Sequence, residues 1–228
     1  MAREELFDLS QQYEDLLRRG LRLSGEDPQY FAEGRLRDLR RQLGPAFRPR
    51  RILDFGCGVG GSTPVLLRLF PGAAIVGVDT AEPALERATR EHGSALVSFR
   101  AVAELRPDAS FDLCYVNGVF HHIAPQQRLG AARLVHGCLG AGGFFALFEN
   151  NPWNPGARMV MARIPFDRDA VPMPPPESRR LVTAAGFRLA QPVRSLFYFP
   201  RALRWLRFTE PLLAPLPMGA QYYVLGVK

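Results

Sequence analysis

Residues 51–61 read Arg51-Ile-Leu-Asp54-Phe-Gly56-Cys57-Gly58-Val-Gly60-Gly61. A short apolar run ends in an acid and passes directly into spaced glycines. The run predicts a strand, and Ser62 to Phe70 predicts a helix with Ser62 as its cap. The glycines between them predict a sharp turn where backbone, free of Cβ atoms, can lie close to a ligand. Working outward, Ile75–Asp79, Ala95–Ala101, Phe111–Val116 and Gly143–Phe148 predict further strands. Glu82–His92 and Pro125–Leu139 predict helices between them. This alternation implies an α/β fold with a doubly wound, mostly parallel sheet covered on both faces.

The flanks follow other rules. Leu6, Leu9, Tyr13, Leu16 and Leu17 recur at helical spacing, and Phe31, Leu36, Leu39 and Leu43 continue after the break at Ser24–Pro28. Pro28 suits a first helical position. Residues 1–49 are therefore expected to form an N-terminal helical cap, ahead of a ligand-binding domain over 50–228. Residues 150–176 hold seven prolines without a period, and a loop of that length reads as a lid. Glu177–Ala185 predicts a short helix. Phe187–Phe199 and Gln221–Lys228 predict a C-terminal antiparallel strand pair, separated by an insertion at 200–219.

The chain has 228 residues, 47% apolar and 22% charged, which excludes a disordered chain. No apolar run is long enough for a spanning helix, and the acidic start of the chain lacks the layout of a secretory signal. Cys57, Cys114 and Cys138 are three and far apart, with no CxxC, so neither a disulfide framework nor a metal site is expected. Both points suit a cytoplasmic location. The net charge of +7 is unevenly placed: residues 150–228 carry 11 basic and 4 acidic groups, against 11 and 9 in 1–51 and 7 and 9 in 52–149. With 28 arginines and one lysine, the excess reads as compositional bias rather than as a sign of nucleic-acid binding.

The glycine turn admits two ligand classes. Gly56, Gly58 and Gly61 also fit the dinucleotide fingerprint, with Asp79 at the next strand end as ribose acceptor. A dinucleotide sets its pyrophosphate against the helix start, where Asp54 would repel it. S-adenosylmethionine (SAM) has no phosphate and carries an ammonium and a sulfonium. At 4 Å and an effective dielectric of 20, opposite charges attract by about 4 kcal/mol, and for a phosphate the term reverses sign. Asp54 thus favours SAM.

These segments, together with Val76–Ala88, Ser110–Ile123 and Leu139–Pro152, resemble in order and spacing the class I SAM-dependent methyltransferases, a Rossmann-like family. The resemblance implies that Asp54, Gly56, Cys57, Gly58 and Gly60 hold the methionine part of SAM and that Asp79 holds the ribose. It sets Thr80, Ala101 and Val102 beside the adenine. The family often has an acid just after the third strand; Arg100–Glu104 lacks one at that point and leaves Glu104 as a candidate. The N-terminal helices are similar to those of a bacterial small-molecule subgroup, in which Tyr13, Gly25, Tyr30 and Arg35 would cover the cofactor. That subgroup implies specialised (natural product) metabolism, or glycan and lipid-linked intermediates.

Transfer to a hydroxyl needs alignment and a base, and histidine titrates in the right range. His121 and His122 follow the fourth strand, at the carboxyl edge where ligands bind. Adjacent residues are expected to face different ways, which makes His121 the base and His122 a packing residue. Glu149, ending the fifth strand, is placed to orient His121 or to act as base itself. Asn117 is placed to bond the ammonium end of the cofactor. Trp153, between two Asn-Pro steps, and Phe166-Asp167 are candidate walls of an acceptor pocket. In the insertion, helical spacing gathers Arg201, Arg204 and Arg207 opposite Ala202, Leu203 and Leu206. Such a helix can rest on an anionic membrane surface or a lipid-linked substrate; the commoner arrangement packs it over the sheet with its arginines in water.

The expected function is methyl transfer from SAM (product S-adenosyl-L-homocysteine) to an oxygen of a small molecule, with carbon and nitrogen acceptors as alternatives. An NAD-dependent oxidoreductase and a non-catalytic SAM-binding scaffold are further readings. A nucleic-acid partner is not expected, since Asn117-Gly-Val-Phe stands where base-amino methylators carry an Asn-Pro-Pro-Tyr type motif.

Overall fold

The computed structural model describes residues 20–21, 24–164 and 169–228. Strands β1 (Arg51–Phe55), β2 (Ala74–Asp79), β3 (Val97–Ala101), β4 (Phe111–Asn117) and β5 (Leu139–Asn150) run parallel in the order β3–β2–β1–β4–β5. Strand β8 (Gln221–Val227) lies antiparallel along β5. Strands β6 (Arg188–Leu189) and β7 (Arg194–Leu196) both pair antiparallel with the other edge of β8. Among the described residues these make one eight-stranded sheet, mostly parallel with an antiparallel C-terminal end.

Helices α1 (Pro28–Leu43), α2 (Thr63–Leu69), α3 (Glu82–His92), α4 (Pro125–Cys138), α5 (Pro155–Met161), α6 (Pro175–Ala184) and α7 (Glu210–Leu213) surround it. Because consecutive strand residues point to opposite faces, neighbours divide between two cores. Leu53, Val76 and Cys114 pack with α4 and α6, while Ile52, Ile75 and Tyr115 pack with α1 and α2. Leu36 and Leu39 of α1 are fully buried there, so this helix is part of the sheet's cover.

Several expectations need correction. Ser62 makes no side-chain cap on α2, which starts at Thr63 with proline in its first turn. The start of α1 is capped instead by Asp27, whose carboxylate accepts from the Tyr30 amide at 2.7 Å, and Pro28 opens the helix as expected. The single strand expected over 187–199 is two short ones. Pro192, which has no amide hydrogen, falls between them. The lid contains α5, capped by Asn154, whose side chain accepts from the Ala157 amide at 2.9 Å. The insertion is a 3-10 segment, Arg201–Thr209, broken at Leu203 and followed by α7. Its side chains do not sort as expected. Leu203 is exposed, whereas Arg207 turns inward. Among the described residues no helix is long and apolar enough to cross a membrane.

Candidate active site

The carboxyl ends of β1, β2, β4 and β5 open into a cavity of about 1940 Å³. That edge is where ligands lie in doubly wound sheets, and the space exceeds that of an ordinary small-molecule pocket. Tyr30, Asp54, Gly56, Cys57, Gly58, Asp79, Thr80, Val102, Asn117 and His121 all border it. Gly60, Ala101, Glu104 and Glu149 do not. Tyr13 and Phe166-Asp167 lie outside the described residues. Trp153 stands about half exposed, away from this cavity.

The glycine turn is built for close approach. Gly56 has φ +76°, and a Cβ there would meet Val119 Cγ2 at 2.2 Å. Gly58 has φ +53°, and a Cβ there would enter open space. Asp79 holds the turn: its Oδ2 accepts from the Gly58 amide at 2.8 Å, and its Oδ1 from Thr80 and Ala81 at 2.7 and 3.0 Å. Gly60 serves packing, since a Cβ there would press on His92 and Phe99.

Asp54 is the unusual group. It is 3% exposed, and its Oδ2 is buried without a hydrogen bond. Burial, and then the charge of Asp79, push its carboxyl up to about 7, while Arg35 on α1 acts in the opposite direction. Arg35 is itself buried, donating to Tyr115 Oη at 3.0 Å and Gln221 Oε1 at 2.9 Å. A cationic ligand fits here: it would give Asp54 the partner it lacks and restore its charge. The unpartnered carboxylate oxygen and the open space above Gly58 together suit the aminoacyl end of SAM, with Asp79 beside it for a hydroxylated sugar. Burial, and then the charges of Asp54 and Asp79, push the Cys57 thiol up and disfavour its thiolate.

A second group sits between β4 and β5. His121 Nδ1 lies 2.5 Å from Glu149 Oε2, with the two side chains 2% and 1% exposed. Glu149 Oε1 accepts from the Phe120 amide at 2.9 Å, which fixes the carboxylate. His122 is exposed yet borders the same cavity, its ring centroid 4.2 Å from that of His121. The expectation that adjacent histidines face apart fails because Phe120–His122 form a 3-10 turn rather than a strand.

Sequence reading missed the parts that brace this pair. Arg128 of α4 is 3% exposed. Its guanidinium donates to Ile123 O at 3.0 Å, Val171 O at 2.6 Å and Glu177 Oε1 at 2.8 Å. The Val171 amide in turn donates to His121 O at 2.9 Å. The signal was present: Arg128 shares the buried stripe of Ala132 and Val135, at i, i+4 and i+7.

The far wall comes from the residue that follows β7 and from the insertion. Phe197 packs its ring on Phe31 and Tyr30, with centroids at 4.9 and 5.8 Å, and fills the space over Gly34. Its φ of +62° is a strained value for a bulky residue. Arg207 lies 4.6 Å over the Tyr30 ring and pairs with Glu26 at 2.9 Å. The turn before α5 holds this wall in place. Asn151, fully buried, donates to Pro217 O and Gly219 O at 3.0 and 2.8 Å, and Asn154 donates to Met218 O at 2.7 Å.

Comparison with known proteins agrees with this fold. Residues 53–145 match the family model described as a methyltransferase domain. The trans-aconitate 2-methyltransferase of Methylobacterium nodulans is 33% identical over 165 residues, 69% of this chain and 58% of that protein. The chain thus spans about three fifths of that relative's length. A SAM-dependent methyltransferase structure from Archaeoglobus fulgidus superposes with TM-score 0.64 at 18% identity, over 89% of this chain and 95% of that one. Phosphoethanolamine N-methyltransferase 2 of Haemonchus contortus, solved with SAM, gives TM-score 0.59 at 19% identity, over 85% and 52%. At these identities the two structures speak for the fold.

Proposed function

Because the chain belongs to the class I SAM-dependent methyltransferases, we propose that it methylates an oxygen of a small-molecule acceptor, with His121 as base. The observation that carries the base is the buried His121–Glu149 pair opening onto the same cavity as Asp54. SAM, when bound, supplies a methyl group already activated by its sulfonium. Asp54 would hold the ammonium and Asp79 the ribose, with Gly58 the surface between them and Thr80 and Val102 beside the adenine. Tyr30 and Asn117 border the same space and complete the cofactor side.

On the acceptor side, Glu149 accepts from His121 Nδ1–H, which directs the lone pair to Nε2. That nitrogen takes the hydroxyl proton as the oxygen becomes nucleophilic. Glu149 then stabilises the imidazolium that results.

The acceptor differs in character from the polycarboxylate named for the relative. Among the described residues, Arg35 and Arg207 are the guanidiniums bordering the cavity; Arg35 pairs with Tyr115 and Gln221 and Arg207 with Glu26, which leaves the buried Arg207 Nη2 as the one donor without a partner, against six acids. Glu26, Asp27, Asp54, Asp79, Glu91 and Asp169 border it as well. With Tyr30, Phe31 and Phe197 forming one wall, an aromatic or largely apolar alcohol or phenol suits it best.

The test is a mass-spectrometric screen of phenols, alcohols and carboxylates for a gain of one CH2 with SAM present. Methylation of an uncharged hydroxyl by the native protein, lost in His121→Ala and Glu149→Gln while SAM still binds in calorimetry, supports the reading. Methylation of trans-aconitate alone, or turnover undiminished in both variants, overturns it.

A further inference from the structure

The insertion presents its inner side to the cavity, through Arg207, and a different chemistry outward. Leu203, Trp205, Phe208, Leu212, Leu216 and Met218 are 41–81% exposed within sixteen residues of chain. Single exposed apolar residues are ordinary, but six large ones together mark a contact surface. Trp153, 47% exposed, adjoins them beside Pro215 and Pro217.

Among the described residues, the exposed charges that line this surface are of one sign. Arg201 and Arg204 are exposed within it, and Arg179 and Arg180 border the shallow groove that holds Trp153, Pro215 and Pro217. Glu210 is the one acid in 200–219, and it is turned inward, accepting from the Tyr198 and Phe199 amides at 3.0 and 3.1 Å. From this we propose that residues 201–218 dock on an anionic lipid bilayer, with the aromatic and aliphatic side chains in the headgroup boundary and the arginines on lipid phosphates. Tryptophan, phenylalanine and leucine interleaved with arginine are the composition such a contact needs. A second copy of the chain fits less well, because a two-fold contact would set these arginines against each other. The inference does not depend on which acceptor the enzyme methylates.

The experiment uses the full chain and vesicles of phosphatidylcholine alone or mixed with phosphatidylglycerol. Flotation is expected with the mixed vesicles and is lost at high salt. With Trp153→Phe in the background, Trp205 emission is expected to shift to the blue on adding them. Removing both exposed insertion charges (Arg201→Gln with Arg204→Gln) is expected to weaken binding about thirtyfold. Phe208→Ser with Leu212→Ser is expected to weaken it at least about tenfold. Neither double variant touches the cavity, and unchanged SAM binding reports that both are folded. Failure to float with anionic vesicles, equal binding to neutral ones, or indifference to these substitutions overturns the proposal. So does a Trp205 emission already shielded without vesicles, whether from a dimer seen by sedimentation or from residues 1–19 covering the patch in a monomer.

Discussion

Asp54 is an acid held where its charge is unwelcome until a cation arrives. Its carboxyl is raised from 3.8 to about 7, so between those values the folded protein binds more protons there than the unfolded chain. That sign is opposite to a salt-bridged carboxylate's: stability without ligand falls as pH rises from about 4 to 7, by up to about 4 kcal/mol, and then levels off. Asp54→Asn is expected to flatten this profile and to raise the melting temperature at pH 8 by several degrees. The same variant is expected to weaken SAM binding by about a hundredfold; calorimetry and thermal melts read both. At His121 the expectation is the reverse. His121→Ala or Glu149→Gln is expected to lower kcat by about 10²–10⁴ and leave SAM affinity within twofold. Asp54 was legible because a strand-end acid before glycines is a local signal. The Tyr30–Phe197 wall was not, because its members are more than 160 residues apart.

Elements differ in how much of their role the chain order discloses. The parallel strands were legible because apolar runs bounded by glycine, proline and acids leave few alternatives. The insertion was misread because helical spacing assumes a regular helix, and the break at Leu203 with 3-10 geometry redirects every side chain beyond it. The Asn-Pro turn before α5 was noticed, but its work is done on backbone carbonyls more than 60 residues away. Asn151→Ala is expected to cost about 2 kcal/mol, since two backbone carbonyls, the buried one of Gly219 and the part-buried one of Pro217, lose their donor; urea denaturation measures it. Arg128→Met keeps the volume but strips Ile123 O and Val171 O of their partner. A loss of about 3 kcal/mol is expected, with kcat falling more than the acceptor KM changes. A guanidinium that served folding alone would leave kcat of the surviving folded fraction unaltered.

Across the whole molecule, the proposed binding mode sets ligand and proton in competition for one buried carboxylate. SAM at a hundredfold its Kd adds about 2.7 kcal/mol, which for a chain of this size is about 5–10 °C in melting temperature. That shift is expected to be larger at pH 8 than at pH 6, because only the ionised Asp54 attracts the ammonium; scanning fluorimetry at both values checks it. Asp79 belongs to the same balance in another way. Three amides of the chain itself grip it, so the shape of the glycine turn rests on bonds that no nucleoside has to supply. Capture should then be a single fast encounter rather than a slow remoulding of the loop, and stopped-flow traces of SAM uptake should show one phase whose rate rises linearly with concentration.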